Sequence, residues 1–449
     1  MRRWDAHQFA RAGGAQLARE PAAGGEGPTL AIIDSRAAGP GTLFVGLPGE
    51  RVDGGTFAAA ALAAGAWGVL IAPEHAQAAL AAGGGAVLAA DDPLAALQRL
   101  ANAWRRELGA KVIGVTGSVG KTSTKELLFG LLSPRRRTVA SQANFNTEIG
   151  LPLQILAAPS GTEVLVLEMG MRGPGQIAEL ARIAEPDVGV IVSIGPVHLE
   201  LLGSLEAIAA AKAELITELA SGATAVVPAG EALLDPHLRA DLRTLTVGED
   251  GDVRFISQSA THVEIDAQGV QIGLDLDFTA PHLRQDLLAA VAAARAVGVS
   301  PGGRLELELS PGRGQRRLLA GGIMLIDDAY NANPMSMRAS LDALAGTPAE
   351  GRRIAVLGDM LELGPTAESF HREIGRHADG IADMVVSVGP LAAAMADEFG
   401  GERYVVSDAA AAAELLPGLL RPGDVVLVKA SNGVGLKLVC ETLSAATIA

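Results

Sequence analysis

Apolar runs of strand length recur through the middle of the chain, and sequence with helical spacing of apolar residues separates them. The runs lie at residues 112–115, 164–167, 188–194 and 223–227. Alternation of strands with helices is typical of doubly wound folds, because parallel strands need crossover connections. The pattern therefore predicts a central α/β domain built on a mostly parallel sheet.

Two further α/β regions flank this centre. Residues 1–106 mix short apolar runs with Ala-rich helical segments and end in a helix predicted over 93–108. A Pro/Gly-rich connector at 311–316 precedes five more apolar runs, each followed by helical sequence, which predict a second, Rossmann-like open sheet. We therefore expect an α/β protein of three domains, with boundaries at 1–106, 107–312 and 313–449.

Two segments depart from the strand and helix alternation. Residues 253–278 alternate apolar and polar side chains, which predicts antiparallel hairpins at the edge of the central sheet, and a helix is expected over 282–297. The uncharged residues 57–73 are too few to span a membrane comfortably. They predict a buried helix followed by a strand over 67–71.

The charge balance argues against nucleic acid as a partner. The chain has 36 basic and 51 acidic residues, a formal net charge of −15, and no basic run longer than residues 135–137. Aromatic residues make up 3%, too few for base-stacking platforms. We expect no nucleic-acid partner.

Cysteine content and the N-terminus bear on the compartment. A single cysteine, Cys440, excludes an internal disulfide and fits a reducing environment. Residues 1–7 turn polar at once and lack the apolar segment of a secretory signal. We expect a cytoplasmic protein without a transmembrane segment.

A glycine-rich turn at residues 114–123 joins an apolar strand to a helix. Glycines let backbone amides approach phosphate oxygens, Lys121 supplies a positive charge, and Thr122 offers a hydroxyl to Mg²⁺. The match to G-x-x-x-x-G-K-[ST] is imperfect, because Val115 holds the first glycine position. The alternative is a turn before an ordinary helix, but the strand and helix on either side favour a phosphate-binding loop. Its candidate residues are Thr116, Gly117, Ser118, Val119, Gly120, Lys121, Thr122 and Ser123.

Polar side chains follow two neighbouring strands of the predicted central sheet. Glu168 ends one apolar run, and His198 follows the next within a Gly-Pro-Val-His stretch. Ligand sites in open α/β sheets lie at the carboxyl ends of strands, and carboxylate oxygens suit Mg²⁺. Alone, Glu168 would be a solvated acid and His198 a structural hydrogen bonder. Beside a phosphate loop, they favour a shared site.

Lys212 falls on the apolar face of a helix predicted to begin at Ser204. A lysine turned inward has a lowered pKa and can exist as a neutral amine, open to covalent modification or catalysis. The alternative, which spacing alone leaves equally open, is a stem that reaches solvent or pairs with Glu214 or Glu206. The apolar residues that define the face are Leu205, Ile208, Leu215, Ile216 and Leu219.

A third polar cluster occupies residues 327–334, where two acids precede a tyrosine and two asparagines. Asn333 before a proline is typical of a helix N-cap, which needs no functional role. The functional interpretation gives Tyr330 a stacking role on a base and the amides hydrogen bonds to a nucleotide. Residues 357–364 repeat the pattern of acids after an apolar strand.

These motifs together resemble the Mur ligase family. The likeness covers the central domain through residues 116–122, 144–150, 167–170, 195–200 and 211–214. Residues 327–334 and 358–364 resemble the branch of the family that attaches D-Ala-D-Ala. Residues 34–36, 43–46 and 49–54 are similar to the family's domain for the UDP-sugar substrate.

The resemblance implies an ATP-dependent ligase that joins D-Ala-D-Ala to UDP-N-acetylmuramoyl-tripeptide through an acyl phosphate, in peptidoglycan precursor synthesis. The N-terminal domain would bind the UDP-sugar peptide, and the C-terminal domain would close over the nucleotide and bind D-Ala-D-Ala. The cofactors would be ATP and Mg²⁺, and a monomer is expected. Contacts to the UDP-sugar peptide are assigned to Ser35, Arg36, Asn146 and Thr147.

The resemblance also implies roles at the phosphates. Lys121 would neutralise the β- and γ-phosphates, and Arg313 would reach the γ-phosphate on closure. Thr122 and Glu168 would hold one Mg²⁺, His198 a second, and Lys212 would carry a carbamate formed with CO₂. The residues expected to face the nucleotide from the C-terminal domain are Asp328, Tyr330, Asn331 and Asn333.

The chain departs from the family pattern at three places. In residues 282–286 the usual amide near adenine is replaced by the carboxylate of Asp286, residues 53–55 lack a histidine after Asp-Gly, and residues 429–433 lack an arginine. Alternatives to the expected reaction are a related ligase that adds a single amino acid or acts on a folate-like substrate, a nucleotide-dependent switch and a non-catalytic scaffold. A GTP switch usually carries Asn-Lys-x-Asp, and no Asn-Lys pair occurs in the chain.

Overall fold

Three β-sheets, each flanked by helices, form the protein in a computed structural model. The structure describes residues 1, 3–21, 26–142, 144–259, 261–277 and 283–445. Phe278, the last residue of the predicted hairpin segment 253–278, and His282, the first of the helix predicted over 282–297, lie outside these residues. The predicted α/β fold class, with three sheet-containing regions, is confirmed.

The N-terminal sheet has five strands in the order β1-β5-β4-β3-β2, all parallel except β1. Its helix α4 begins and ends where the sequence predicts. Asp92 caps its first turn, Pro93 occupies the first position, and Gly109 ends it in the left-handed conformation. The elements are α1 (Ala6–Gly13), β1 (Gln16–Arg19), β2 (Leu30–Ile32), β3 (Thr42–Val45), α2 (Ala58–Ala63), β4 (Gly68–Ile71), α3 (Ala76–Ala81), β5 (Ala86–Ala89) and α4 (Pro93–Leu108).

The central sheet has ten strands in the order β15-β14-β13-β12-β11-β10-β9-β6-β8-β7. The elements are β6 (Lys111–Thr116), α5 (Lys121–Leu132), β7 (Thr138–Ala140), α6 (Gly150–Ala157), β8 (Val164–Glu168), α7 (Gln176–Ala184), β9 (Val188–Ile191), α8 (Leu199–Leu202), α9 (Leu205–Glu218), β10 (Thr224–Pro228), β11 (Arg243–Val247), β12 (Val253–Gln258), β13 (His262–Ala267), β14 (Val270–Leu276), α10 (Arg284–Ala296) and β15 (Gly303–Leu305). β12, β13 and β14 are antiparallel hairpins towards one edge, as their alternating pattern predicts.

The strand predicted over 188–194 was too long, because β9 ends at Ile191. Val192 still donates its amide to Thr116 O at 2.9 Å, but Ser193 turns its hydroxyl to the backbone of Val119. The last part of the apolar run therefore leaves the sheet to support the glycine-rich loop. A hydrophobic pattern alone cannot separate these two uses of apolar residues.

The C-terminal sheet has six strands in the order β16-β17-β21-β18-β19-β20, with β16 antiparallel and the others parallel. The elements are β16 (Gln315–Leu318), β17 (Met324–Asp327), α11 (Pro334–Ala345), β18 (Arg353–Gly358), α12 (Ala367–Ala378), β19 (Met384–Val388), α13 (Ala393–Asp397), β20 (Glu402–Val406), α14 (Ala409–Leu419), β21 (Val425–Lys429) and α15 (Lys437–Ala445). The domain boundaries near 106 and 312 stay predictions. Within the described residues, no helix combines the length and apolar character that crossing a bilayer requires.

Candidate active site

One cavity of about 1300 Å³ lies between the central and C-terminal sheets. The glycine-rich loop lines it together with Arg313 and Tyr330. Candidate residues on its wall are Ser118, Val119, Gly120, Lys121, Thr122, Ser123, Asn146, Thr147, Glu168, His198, Arg313, Asp328, Tyr330, Asn331 and Asn333. Residues separated by more than 200 positions in the sequence therefore meet at one site.

Five candidate residues do not line this cavity: Thr116, Gly117, Ser35, Arg36 and the buried Lys212. Thr116 is buried, and its hydroxyl donates to Met169 O at 2.9 Å. The carbonyl of Gly117 accepts a hydrogen bond from Lys121 Nζ within the loop. Ser35 and Arg36 lie in a short helix between β2 and β3 of the N-terminal domain, where Arg36 pairs with Asp34 at 2.7 Å. The structure therefore does not bring these two residues to the glycine-rich loop.

The glycine-rich loop is shaped for an anion before any ligand binds. Helix α5 begins at Lys121 after Gly120, which has a φ of 87° and no side chain to satisfy the first amides of the helix. Lys121 Nζ donates to Gly117 O at 2.7 Å, so the lysine folds back over the loop. Burial lowers the pKa of Lys121, and the charge of Arg313 adds to this effect while Glu168 opposes it. The loop therefore presents amides and a lysine within reach of the C-terminal domain.

Glu168 ends β8 and is 2% exposed. Thr122 Oγ1 donates to one of its carboxylate oxygens at 2.9 Å, and Asn146 Nδ2 donates to the other at 2.8 Å. A carboxylate beside a hydroxyl at the start of a phosphate-loop helix is an oxygen donor set of the kind Mg²⁺ prefers. Thr122 and Glu168 therefore fit a magnesium ion at the phosphates.

Lys212 lies on α9 and is 2% exposed. The two acids that were possible partners of Lys212 form other hydrogen bonds. Glu214 accepts the amides of Gly175 and Ala178 at 2.6 and 3.0 Å, and Glu206 bonds to Ser204. Burial holds the pKa of Lys212 well below its usual range, and the charge of Lys121 lowers it further. The side chain is thus turned inward as its helical position predicts, although Leu205, assigned to the same face, is exposed.

His198 precedes α8 with a φ of 52°, an uncommon conformation for a residue with a side chain. Its Nδ1 forms a short contact with the carboxylate of Glu362 from the C-terminal domain. Burial lowers the pKa of His198, Glu362 opposes this, and the charges of Lys121 and Lys212 add to it. The imidazole therefore lies within electrostatic range of both lysines.

Arg313 and Tyr330 line the same cavity and contact each other. The Arg313 guanidinium carbon lies 3.9 Å from the centre of the Tyr330 ring, which is a cation–π contact. Tyr330 N donates to Gly312 O at 3.1 Å, and Gly312 has a φ of 73°. The contact fixes the arginine on the connector that joins the two domains.

The remaining C-terminal candidates already have protein partners. Lys429 Nζ donates to Asp328 at 2.6 Å and to Asn331 O at 3.0 Å, so Asp328 forms an ion pair with a buried lysine. Asn333 caps α11 by accepting the amide of Ser336 at 2.9 Å, within a reciprocal capping box. The structural interpretation of Asn333 as an N-cap is therefore correct, although the residue also lines the cavity.

Asp286 on α10 packs directly against the glycine-rich loop. It is 6% exposed, and a side chain at Gly120 would place its Cβ 2.2 Å from Asp286 Oδ1. Burial raises the pKa of Asp286 to about 7, and a hydrogen bond with Ser123 opposes the rise. The carboxyl group thus restricts position 120 to glycine and lies at the start of α5.

A second departure from the family pattern has a structural counterpart. Gly55 carries no side chain, and the His75 ring fills the space where its Cβ would lie, 2.1 Å from His75 Cδ2. His75 Nε2 is 2.8 Å from Asp53 Oδ2. With Glu74, these residues form a group of possible metal ligands on the N-terminal domain, separate from the magnesium candidates.

Three polar residues that connect the site to its surroundings, Glu126, Arg172 and Glu362, were not among the sequence-predicted site residues. Glu126 accepts the amide of Ser310, which immediately precedes the Pro/Gly-rich connector, at 3.2 Å, and Arg172 donates to Glu362 at 2.6 Å. Glu126 follows the phosphate loop in sequence, and Glu362 lies in a strand-end acidic stretch. The sequence position of each acid could have marked it as a candidate. Their contacts could not be read from it, because His198 and Ser310 lie more than 160 positions from Glu362 and Glu126.

Comparisons with known proteins cover nearly the whole chain. Three descriptions match in order: Mur ligase family, catalytic domain, over 30–105; Mur ligase middle domain, over 115–294; and Mur ligase, glutamate ligase domain, over 312–432. The UDP-N-acetylmuramoyl-tripeptide–D-alanyl-D-alanine ligase of Bacillus subtilis (strain 168) is 36% identical over 425 residues, covering 91% of this chain and 92% of the relative.

Solved structures agree with this match. MurF from Acinetobacter baumannii superposes with a TM-score of 0.87 at 28% identity and covers 98% of both chains. The MurF ligase from Thermotoga maritima in complex with ADP gives a TM-score of 0.79 at 30% identity, covering 92% of this chain and 97% of the other. From its sequence, its fold and these relatives, the chain belongs to the Mur ligase family.

Proposed function

We propose that this Mur ligase uses ATP to join D-Ala-D-Ala to UDP-N-acetylmuramoyl-tripeptide in peptidoglycan precursor synthesis. The observation that carries the proposal is the single cavity in which the glycine-rich loop, the buried Glu168 and Arg313 meet. The relative from B. subtilis, matched over 91% of this chain, bears the name of this activity. The ADP complex of the T. maritima relative supports ATP as the nucleotide.

The proposed reaction has two covalent steps. A carboxylate oxygen of the tripeptide attacks the γ-phosphorus of ATP, the bond to the β,γ-bridging oxygen breaks, and ADP leaves. The amine of D-Ala-D-Ala then attacks the acyl carbon, the bond to the phosphate breaks, and the amine proton passes to solvent. The products are an amide, ADP and inorganic phosphate.

Lys121 and Arg313 both line the cavity and supply positive charge to it. In-line phosphoryl transfer spreads negative charge over the transferring oxygens, and fixed cations stabilise that charge more in the transition state than in the ground state. Lys121 is held by Gly117 O, and Arg313 by the Tyr330 ring. The amides at the start of α5 would bind the phosphates in the same region.

A magnesium ion would be held by Thr122 and Glu168, and a second by His198 with a carbamylated Lys212. When bound, Mg²⁺ neutralises phosphate charge and orients the phosphate groups. The neutral amine expected at Lys212 attacks CO₂ and loses one proton to solvent, which converts a nitrogen into an oxygen donor. The buried position of Lys212, where burial lowers its pKa, supports this modification.

The substrates would divide between the domains. Ser35 and Arg36 of the N-terminal domain would contact the UDP-sugar, and Asn146 and Thr147 would contact the peptide near the phosphates. Asp328, Tyr330, Asn331 and Asn333 would border the nucleotide. The enzyme would act as a cytoplasmic monomer with domains at 1–106, 107–312 and 313–449.

The test is an omission experiment with purified protein. ATP, Mg²⁺, UDP-N-acetylmuramoyl-tripeptide and D-Ala-D-Ala are supplied together and then left out one at a time, while phosphate release and product mass are measured. We expect phosphate release to require both substrates and to accompany a UDP-muramoyl-pentapeptide. A product formed with a single amino acid instead would favour the related ligase, and nucleotide turnover without any acceptor would favour the switch.

A further inference from the structure

We propose that Glu362 is a positioning residue through which the docked C-terminal domain fixes the orientation of the His198 imidazole. The inference rests on the proposed function, because His198 is assigned there to the phosphate site. It adds a role for the stretch after β18, to which neither the sequence motifs nor the comparisons assign one. Glu362 touches no substrate in this account and acts through His198.

Three donors of the central domain hold Glu362. His198 Nδ1 contacts one carboxylate oxygen, and Arg172 donates to the other at 2.6 Å. The Glu362 carbonyl accepts the amide of Glu200 on α8 at 3.1 Å. Glu362 thus joins the domains through both its side chain and its backbone.

Backbone conformation sets this contact apart from an ordinary surface ion pair. Among the described residues, four non-glycine residues have positive φ angles, and two of them, His198 at 52° and Glu362 at 63°, contact each other. Residues with side chains rarely adopt this region, so the surrounding structure must hold them there. Gly364 supports the approach, since a Cβ there would lie 3.3 Å from Glu200 Cα.

The contact determines which part of the imidazole faces the cavity. With Nδ1 taken by Glu362, Nε2 is the ring nitrogen left for a ligand, and His198 lines the cavity. A carboxylate bonded to one nitrogen of a functional histidine fixes its tautomer and ring angle. Because the carboxylate comes from the other domain, His198 is fixed in this way only when the domains are docked.

The test compares Glu362→Gln and Glu362→Ala with the matched control Glu441→Gln, an exposed carboxamide change on α15 of the same domain. Ligase kcat and the KM for ATP are measured. We expect kcat to fall about 10- to 100-fold in Glu362→Ala and less in Glu362→Gln, which keeps an acceptor oxygen. The KM for ATP should change less than about 3-fold, because the glycine-rich loop is intact. The control should match wild type.

A second measurement does not depend on ligase activity. In protein labelled with ¹⁵N-histidine, the His198 ring signals, assigned with His198→Gln, report the Nδ1 contact. We expect these signals to shift in both Glu362 variants and to stay unchanged in Glu441→Gln. Unchanged His198 signals, or altered signals with full kcat in Glu362→Ala, would overturn the proposal. If the wild-type protein showed no ligase activity, the proposed function would be wrong. The ring signals would still test whether Glu362 contacts His198.

Discussion

Two buried titratable side chains, Lys212 and Asp286, show how single residues set the chemistry of this site. Both lie on helices of the central domain and near the glycine-rich loop, where burial favours their neutral forms. A neutral lysine is a nucleophile, whereas a neutral aspartic acid avoids placing a negative charge beside bound phosphates. Each therefore gives a prediction at the scale of one side chain.

Lys212→Ala should lower ligase activity by about 100-fold or more, the scale expected when a charge-stabilising group leaves an active site. Lys212→Gln should behave in the same way, because an amide cannot form a carbamate. Protein incubated with ¹³C-bicarbonate should show a carbamate carbon signal that both variants lack. Full activity in Lys212→Ala would rule out the carbamate.

Asp286→Asn should stabilise the protein in a pH-dependent way. The pKa of Asp286 rises from an ordinary 3.8 to about 7, so between these values the folded protein holds a proton that the unfolded chain has lost. The free energy of unfolding of wild type therefore falls across this window, by at most about 4 kcal/mol at about 1.4 kcal/mol per tenfold change in acidity.

The asparagine stays neutral at every pH and avoids this loss. Denaturant unfolding of both proteins at pH 5 and pH 8 should show a difference in favour of Asp286→Asn that is larger at pH 8. An equal difference at both values would mean that Asp286 is already ionised at pH 5 in the folded protein, as it is in the unfolded chain.

At the scale of elements, the connector between β15 and β16 carries the arginine of the site. Glu126 on α5 binds the amide and hydroxyl of Ser310, three residues before Arg313. Burial raises the pKa of Glu126, and its hydrogen bonds to Ser310 and the charge of Lys125 oppose the rise. The phosphate-loop helix therefore holds the connector directly.

Glu126→Ala should lower kcat about 3- to 10-fold, because hydrogen bonds to a carboxylate are worth about 1.5–3 kcal/mol and only part of this reaches Arg313. Ser310→Ala, which removes the hydroxyl and keeps the amide, should have a smaller effect. Steady-state kinetics would decide, and equal activity in all three proteins would show that the connector is held without Glu126.

The elements also show what sequence can predict. Helix α4 was predictable to the residue because Asp92, Pro93 and Gly109 mark its ends locally. The end of β9 was not, because residues 192–194 stay apolar while they support the glycine-rich loop.

At the scale of the whole molecule, the candidate site is an interdomain arrangement. Most of the candidate residues line the cavity, and those that follow parallel strands of the central sheet were expected together because the carboxyl ends of such strands meet at one edge of a sheet. The contact of His198 with Glu362 joins residues 164 positions apart, and no periodicity encodes such a partner. Local pattern thus predicts elements and strand-end residues, whereas domain docking determines their partners.

Domain docking also gives the proposed reaction its protection from water. An acyl phosphate is hydrolysed unless the site closes around it, and the cavity here has walls from both domains. Each acyl phosphate formed should therefore be converted to amide rather than lost.

The most direct test labels the terminal carboxylate of the tripeptide with ¹⁸O and follows the label through one round of reaction with ATP, Mg²⁺ and D-Ala-D-Ala. If the tripeptide carboxylate is phosphorylated and then displaced by the dipeptide amine, each pentapeptide formed releases one phosphate that carries one ¹⁸O. Pentapeptide with unlabelled phosphate would contradict the acyl-phosphate route, and phosphate release without pentapeptide would contradict the ligase itself.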